Sequence, residues 1–492
     1  MASPSAGNNS SSVSQILKLW YKDGGVTLST FQNRPFWALI TKKADSSETE
    51  GSTFQFAIQT NDNQSRNTVF SASQSQAWGL SGDVASGALN ALTNTVAGAQ
   101  NIGAIGVTQF SVSRCYNYVY ASISTVLELQ TRTKRGAFDS AVTRLIQSSL
   151  NVLANDQEIS MFGGNASASN IQGGVTTYST GFIATIGSTT NVASTAGVLT
   201  LAISADISKL SANQELDLYY SNAGVLTKRN NTVAGTGLFV GTVNRSLGTA
   251  TIVNSAGATV AINSVFTDAA VGDFICVIND YNQGQLVGTQ PLGKLAGFEA
   301  WVPFGGPVSD TNSNPFMGVN RNLGDITRLA GNWVDATGVL GPNTGRVLNI
   351  EDTILASITL QRINSDKDID TWALNPYQNL KLLKSNVNRV NLPGGALETS
   401  IPSLSFKATQ IETDGGLSTV IPDRYCGANR LFGLHMPSWS FIHLGDPVEM
   451  YGQDGMDGLR EPMLDAKGYR FFSFGNIVCD EPSANVTCNM PL

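Results

Sequence analysis

The longest regular run of apolar positions in this 492-residue chain predicts a helix over residues 135–162. Its apolar side chains recur at three- and four-residue steps, the period of one helical face, at Phe138, Ala141, Val142, Leu145, Ile146, Leu150, Val152, Leu153 and Ile159. Gly163 and Gly164 mark the predicted end, because glycine adopts the left-handed conformation that follows many helices. The helix would be about 40 Å long. It is either a mechanical spine or an ordinary long core helix.

A period of two predicts a strand that begins at Gly51 and carries on one face Phe54, Phe56 and Ile58. Its predicted partner is Val107–Val126, where small or polar residues alternate with Phe110, Val112, Tyr116, Tyr118 and Tyr120. About 45 residues separate the two strands, far more than a normal hairpin loop. Within them Val84–Ala97 is a candidate short helix. The long segment either becomes ordered against a neighbouring subunit or is a mobile insertion.

The first 50 residues alternate polar stretches with two apolar clusters. Residues 1–12 have the composition of a flexible tail, and the clusters are Ser14–Tyr21 and Phe31–Ile40. Two anchors on polar linkers indicate either an arm laid across a surface or a pair of ordinary short helices.

Residues 181–290 are almost free of charge and contain short β runs separated by turn residues, at 198–204, 215–220, 237–244, 249–254 and 273–280. This spacing predicts a small barrel or sandwich. Prolines and glycines in Pro291–Pro307 then suggest an exit linker.

The carboxyl-terminal part alternates predicted helices and strands. A helix is predicted over Glu351–Ile363, a strand over residues 370–376 and a further helix over Tyr377–Lys384. Strands and turns follow from Leu404 to Val478. The pattern predicts an α+β body.

Composition narrows the class of protein. Charged residues make up 14% of the chain, below the roughly 25% of typical soluble domains. A net charge of −7 provides no basic footprint for nucleic-acid binding. The five scattered cysteines are expected to be reduced and buried, although Cys479 and Cys488 are near enough in sequence to pair. Neither a secretory signal nor a membrane-spanning run is recognised, so no membrane association is predicted.

Candidate catalytic residues are few. His435 and His443 flank Ser438 and Ser440, but no strained turn presents either serine as a nucleophile, so structural roles are favoured. The acidic residues that could form a glycosidase pair are Asp335, Asp352, Asp366, Asp368 and Asp370. Asp454 and Asp457 lack the order of a calcium loop. We therefore predict no catalytic, cofactor-binding or metal site, and no enzyme.

The order of these parts resembles the major capsid proteins of tailed bacteriophages, which have the Hong Kong 97 fold. The local resemblance is carried by AAVGDFICVINDYNQGQ (269–285), LAGFEAWVP (295–303), DTWALNPYQNLKLL (370–383) and VIPDRYCGANRLFGLHMPSWSFIHLGDP (420–447). These stretches are similar to the passage that closes a β insertion, the axial strand-turn-helix and the closing strands of that family. The resemblance covers most of residues 13–482, with loose motifs.

The resemblance implies an α+β Hong Kong 97-type fold with a long spine helix, an extended hairpin loop and an inserted small all-β domain. The implied regions are an amino-terminal arm (1–50), the extended hairpin (51–126), spine helix and peripheral domain (127–180), inserted barrel-like domain (181–290), linker and return (291–345), and axial domain with closing strands (346–492).

The implied function is a structural capsid protein in the virion. Hexamers and pentamers would form an icosahedral or prolate shell around double-stranded DNA, assembled in the host cytoplasm without sequence-specific nucleic-acid binding. A separate scaffolding protein is expected, because the arm is short for a fused scaffolding segment, together with a portal and a candidate cement protein. No residues of the family's lysine–asparagine cross-link can be placed here.

Two other classes of function are compatible with the sequence. A β-rich viral or surface adhesive or tail protein that binds glycans or receptors would explain the polar, glycine-rich strands, but it leaves the long helix without a purpose. A hydrolase with paired carboxylates ranks third.

Overall fold

The structure is a computed structural model of the chain. It describes residues 34–44, 53–61, 106–131, 141–163, 179–180, 182–187, 197–222, 225–230, 237–278, 280, 282–283, 294–307, 310, 312, 315–323, 325–340, 344–389, 398–400, 407–413, 416–450, 459–460 and 465–491. The predicted tail, the cluster Ser14–Tyr21, the candidate helix Val84–Ala97, and Asp454 and Asp457 lie outside these residues.

The helices in the described part of the chain are α1 Pro35–Leu39, α2 Thr125–Thr131, α3 Ala141–Met161, α4 Ile262–Val265, α5 Phe298–Trp301, α6 Ile326–Ala330, α7 Ile350–Asn364 and α8 Pro376–Arg389. Short 3-10 turns are formed by Ser204–Lys209, Met436–Ser438 and Pro482–Ala484. None of these described helices is long and apolar enough to cross a membrane.

The strands, in chain order, are β1 Thr41–Ala44, β2 Thr53–Asn61, β3 Gly106–Ser113, β4 Cys115–Ser124, β5 Ser179–Thr180, β6 Phe182–Thr185, β7 Val198–Thr200, β8 Glu215–Asn222, β9 Val225–Lys228, β10 Leu238–Asn244, β11 Thr249–Asn254, β12 Phe274–Val277, β13 Asn282–Gln283, β14 Asn332–Asp335, β15 Thr371–Leu374, β16 Glu398–Ser400, β17 Lys407–Thr413, β18 Gly416–Pro422, β19 Arg430–Leu434, β20 Trp439–His443, β21 Glu449–Met450, β22 Leu459–Arg460, β23 Ala466–Cys479 and β24 Val486–Asn489. The chain is thus a mixed α and β protein.

The long helix α3 packs one face on a six-stranded sheet built around β23. The sheet has the order β1-β20-β23-β21, and β4 and β22 also pair with β23. Leu153 is fully buried against Tyr469 and Phe471, with Val142, Leu145 and Ile146 packed around them. Leu150 and Val152, predicted for the same face, are instead exposed. Both side chains point away from the sheet, so the buried face of α3 contains fewer residues than the predicted apolar face.

The helix is shorter in the described residues than predicted. It has 21 residues, about 30 Å, and residues 132–140 at its predicted start lie outside the described residues. Gly163 does not adopt the left-handed conformation that was expected, although its N–H donates to the Ser160 carbonyl at 3.0 Å. The helix end abuts Gly297, where a Cβ atom would overlap the carbonyl oxygens of Ser160 and Met161.

The predicted pairing of the two hairpin strands is confirmed. β2 and β3 are antiparallel, with Phe54 opposite Val112 and Phe56 opposite Phe110. The predicted strand Val107–Val126 is nevertheless two strands, because the chain breaks at Arg114 and β4 joins the six-stranded sheet. The extended hairpin therefore does not continue to residue 126.

The alternating positions that are buried before Arg114 are exposed after it. Phe110 and Val112 are buried, whereas the tyrosines in the same alternation, Tyr116, Tyr118 and Tyr120, are 40–60% exposed. On β4 the buried positions are Cys115, Ala121 and Ile123. A change of sheet exchanges the inward and outward positions of a strand, which a period of two cannot reveal.

The described strands between residues 182 and 277 form a barrel. The antiparallel path is β6-β12-β8-β10-β11-β7, and β9 pairs with β8. Two hydrogen bonds of 2.9 Å, from Gly187 N to Thr200 O and from Ala202 N to Thr185 O, join the end strands β6 and β7. The predicted β runs are confirmed as strands, and of the two predicted alternatives the barrel forms. A separate two-stranded ribbon pairs β5 with β13.

The interpretation of Pro291–Pro307 as an exit linker is wrong for its described residues, 294–307. Phe298 and Trp301 are fully buried in the largest hydrophobic cluster, with residues from α1, β3, the end of α3 and β20. Trp301 Nε1 donates to Ile477 O at 2.9 Å. Among the described residues, Gly297, Pro303 and Pro307 are buried, so the chain turns inside the core there rather than on the surface.

A seven-stranded mixed sheet forms the carboxyl-terminal part. Its order is β14-β24-β19-β15-β18-β17-β16, with β14–β24 and β15–β18 parallel. The predicted helices and strand are confirmed as α7, α8 and β15. The Asn349 side chain caps α7 by accepting from Asp352 N at 2.7 Å. All five cysteines are buried with free thiols, so Cys479 and Cys488 do not pair.

Candidate functional site

The histidines and serines considered for hydrolysis do not form a catalytic pair. The Ser438 hydroxyl donates to the backbone oxygen of His435 at 2.8 Å, and the His435 ring nitrogen Nδ1 lies 2.9 Å from Asp368 O. His443 Nδ1 is 2.8 Å from Gly445 O. Ser440 Oγ is buried without a hydrogen-bond partner. Each histidine therefore contacts a backbone carbonyl rather than a serine nucleophile.

The candidate carboxylates have structural partners or are exposed. Asp335 accepts hydrogen bonds from the amides of Thr337, Val339 and Leu340 and from the Thr337 hydroxyl. Burial alone would raise the pKa of its carboxyl group, but the hydrogen bonds from Thr337 and Leu340 outweigh burial and lower it. Asp366 is exposed. Asp352 pairs with Arg346 and Asp368 with Arg362, and Asp370 accepts a hydrogen bond from Met436 N. The described residues contain no cluster of acidic, histidine and cysteine side chains able to hold a metal ion.

An exposed row of tyrosines lies on the outer face of β4. This tyrosine row consists of Tyr116, Tyr118 and Tyr120, of which Tyr118 is 60% exposed. On the adjacent strand β23, Phe474 contacts Tyr116 and Tyr118, with ring centroids 5.2 and 5.5 Å away. The row therefore extends over two strands as an apolar surface open to solvent.

Apolar side chains are also exposed on the helices of the carboxyl-terminal part. We call these side chains the helical patch: Leu355 and Ile363 on α7 and Tyr377 and Leu380 on α8, all at least half exposed. The two helices pack side by side, and Ser385 Oγ donates to Glu351 Oε1 at 2.5 Å between them. The helical patch lies on α7 and α8 and the tyrosine row on the six-stranded sheet, so the chain exposes apolar side chains in two unlike places.

The end of α3 carries two acidic side chains that join it to other parts of the chain. Asp156 contacts Lys294 and Asn117, and Lys294 Nζ also lies 3.2 Å from Asp280 Oδ2, close after β12 of the barrel. Burial, with the nearby Asp156, raises the pKa of Asp280 to about 7, although Lys294 opposes the shift. This polar cluster ties the barrel to the long helix.

Glu158 lies on the same stretch of α3 and is fully buried. Its carboxyl oxygens accept from Phe36 N at 3.0 Å and Trp37 N at 2.6 Å, the first amides of α1. The nearby carboxyl group of Asp423 is also buried. Burial and the adjacent Asp423 raise the pKa of Glu158 well above its usual value. The cluster Phe31–Ile40 is therefore anchored, over its described residues, in the hydrophobic core of the chain.

The contacts of Asp156 and Glu158 had a signal in the sequence, which the apolar spacing does not show. Acidic residues are unfavourable near a helix C-terminus, where the helix dipole favours cations. Asp156 and Glu158 nevertheless occupy the final turns of α3, and no basic residue is in its last turn. Acidic residues at an unfavourable position indicate specific partners.

Comparison with known proteins gives structural similarities only. No family model matches the chain, and no curated protein matches its sequence. Among solved structures, the chain is similar to the cyanophage A-1(L) capsid asymmetric unit, with 10% identity, coverage of 96% of each chain and a TM-score of 0.45. It is also similar to the capsid of a native GTA particle (7% identity, 96% and 95% coverage, TM-score 0.41) and to Gordonia phage Cozz (10%, 100% and 98%, 0.38).

Proposed function

We propose that the chain is a structural shell subunit, the major capsid protein of a tailed bacteriophage with the Hong Kong 97 fold. Copies would associate into hexamers and pentamers and close an icosahedral or prolate shell around double-stranded DNA. The subunit would assemble in the host cytoplasm and reside in the virion. The barrel would be an inserted domain that braces the subunit or projects outward.

One observation carries this proposal: the subunit exposes two unlike apolar surfaces, the tyrosine row and the helical patch. Monomeric proteins rarely expose extended apolar surfaces, and such surfaces mark contact sites. Two different surfaces suit heterologous contacts, in which one surface of a subunit meets a different surface of the next. Contacts of this kind close into rings, and rings tile a shell.

The charge of the chain fits a container rather than a DNA-binding protein. With a net charge of −7, the chain has no overall positive charge to neutralise phosphates. It would therefore enclose DNA without reading its sequence. A separate scaffolding protein, a portal and a cement protein remain proposed partners that follow from the resemblance.

The experiment is electron microscopy of the chain expressed alone and with a scaffolding partner, after size-exclusion chromatography. We expect closed shells or free five- and six-membered rings. A well-folded monomer or trimer that never closes under either condition would contradict the proposal and favour the adhesive protein.

A matched pair of variants tests the surface itself. Tyr118→Ser removes the most exposed member of the tyrosine row, and Val271→Ser removes a side chain that is 38% exposed on the barrel, outside both apolar surfaces. We expect Tyr118→Ser to accumulate unassembled subunits and Val271→Ser to assemble like the unmodified chain. Equal assembly of both variants would remove the tyrosine row from the interface.

A further inference from the structure

The backbone of β2 pairs with another described strand on one side only. β2 and β3 form a two-stranded sheet in which Gln55 lies opposite Ser111. The Ser111 N–H donates to Met317 O at 2.8 Å, on the side of β3 that faces away from β2. Directly opposite residues of an antiparallel pair either exchange both of their hydrogen bonds or point both backbone groups outward. The N–H and C=O of Gln55 therefore point away from β3, and those of Ala57 do so by the two-residue period.

This outer edge of β2 is open. Within the described residues, no hydrogen bond is made by the outward N–H or C=O of Ala57, and both Ala57 and Gln55 are exposed. Natural proteins usually protect such an edge with lysine, proline or a β-bulge. Residues Thr53–Ile58 contain none of these, because the irregular pairing begins only after Gln59. The edge can therefore accept a further strand, the mode in which extended peptides add to a sheet.

A groove of about 620 Å³ lies beside this open edge, and Ala57, Ile58 and Gln59 belong to its lining. The remaining walls come from α6, the end of α7, the turn before β20 and the residues after β23. The ionisable side chains of the lining are Arg328, Asp366, Lys367, His435, Asp480 and Glu481. Acidic groups outnumber lysine and arginine, and Arg328 is already paired with Asp325 at 3.3 Å. The groove therefore favours a guest with basic side chains.

The chain that precedes the described residues starts close to this groove. On β1, Lys43 Nζ lies 3.8 Å from Asp480 Oδ2, and β1 runs parallel to β20, which follows the groove residue Ser438. The described chain begins at Arg34, one short helix before β1. From Lys22 to Arg34 the chain can span up to about 40 Å when extended. Residues that precede Lys22 can therefore reach the groove of their own chain.

The sequence of residues 14–22 suits an added strand at this place. Apolar side chains recur with a period of two, the period of a strand, at Leu17, Leu19 and Tyr21. The segment contains Lys18 and Lys22 and no acidic residue, which is the charge that the groove favours. In a strand of this sequence both lysines lie on the face opposite the leucines, so they remain free to meet acidic groups.

We propose that residues 14–22 bind along the open edge of β2 of their own chain as an additional strand, with Lys18 and Lys22 placed against the acidic side chains of the groove. The added strand hydrogen-bonds to the outward N–H and C=O of Ala57. It covers an edge that would otherwise pair with other molecules. This contact concerns one chain and does not depend on the proposed shell function.

Residue-resolved hydrogen exchange of the full chain tests the added strand, with the amides of Ala57 and Ile58 as reporters. The Ile58 N–H points toward β3, so it is protected with or without a guest and shows that the hairpin is folded. The Ala57 N–H is protected only when a further strand covers it. We expect slow exchange at both amides. Fast exchange at Ala57 beside slow exchange at Ile58 would overturn the proposal.

A charge-reversal variant identifies the guest. Lys18→Glu with Lys22→Glu places like charges against the acidic groove and should speed exchange at Ala57 about tenfold or more, with no change at Ile58. Lys381→Glu with Lys384→Glu makes the same change of charge on α8, outside the groove, and should exchange like the wild type. Equal exchange at Ala57 in the two variants would overturn the assignment to residues 14–22.

Dilution separates the chain's own segment from that of a second copy. An intramolecular strand forms at an effective concentration set by its linker, so protection at Ala57 should not depend on protein concentration. Protection that is lost on dilution would mean that another copy supplies the strand, and it would overturn the proposal.

Discussion

Lys294 Nζ lies 3.2 Å from Asp280 Oδ2 and also contacts Asp156, so one buried ammonium group faces two carboxyl groups. The three residues come from the segment that leads to α5, from the residues after β12 and from α3. A charge left unpaired at such a depth would be strongly destabilising.

Asp280 should make stability depend on pH. Its folded pKa of about 7 is above its usual value of 3.8, so the folded state binds a proton that the unfolded state has released. The stabilisation is complete below pH 3.8, decreases as the pH rises and is lost above about 7. Within that window the free energy of unfolding should fall by up to about 1.4 kcal/mol per pH unit.

Asp280→Asn removes this titration, so its free energy of unfolding should vary less with pH than that of the wild type. Urea unfolding at several pH values measures the difference. Asp268→Asn, an exposed carboxylate on the same barrel, is the control and should follow the wild-type curve. Parallel curves for Asp280→Asn and the wild type would contradict the raised pKa.

Arg321 and Asp310 form a pair in which both side chains are fully buried, with Nε and Oδ2 2.5 Å apart. The guanidinium group also donates to Ala300 O and Trp301 O, the backbone of α5. Arg321→Met leaves Asp310 buried without its cation and should lower the free energy of unfolding by about 3–5 kcal/mol. Arg346→Met breaks an exposed pair and should cost about 0–1 kcal/mol. Equal losses in denaturant unfolding would contradict this assignment.

Local patterns predicted the elements whose determinants are close in sequence. The alternation of Phe54, Phe56 and Ile58 located β2 because its core face is continuous. The start of α7 was predicted within a residue, since the acidic residues of its first turn follow the Asn349 cap. Such signals act within one or two turns of chain, where propensity and capping decide the structure.

Features that depend on distant partners could not be predicted in the same way. The exposure of Tyr116 and the burial of Phe298 are set by the sheet or core that each segment joins, not by its own pattern. The partners of Glu158, which include Phe36 and Asp423, lie more than a hundred residues away in sequence. The contacts of Glu158 were therefore not predicted from the sequence.

The two faces of α3 should differ in their sensitivity to truncation. Leu153 is fully buried and Val152, the preceding residue, is 53% exposed. Leu153→Ala should lower the free energy of unfolding by about 2–5 kcal/mol, because it leaves a cavity against the six-stranded sheet. Val152→Ala should change it by at most about 0.5 kcal/mol. Chemical denaturation of both variants measures the difference, and equal effects would mean that the helix packs on a different face.

Gly433 on β19 is opposite Trp372 on β15, and the indole ring covers the glycine. A Cβ atom at residue 433 would lie 2.7 Å from the ring and 3.0 Å from Ile369 Cδ1. Trp372 is fully buried and cannot move away, so Gly433→Ala should cost about 1–3 kcal/mol in thermal or denaturant unfolding. Gly468→Ala is the matched control on β23, because it faces the half-exposed Tyr120, whose ring can rotate into solvent. A loss for Gly468→Ala as large as that for Gly433→Ala would show that lost glycine flexibility, rather than the rigid indole, determines the cost.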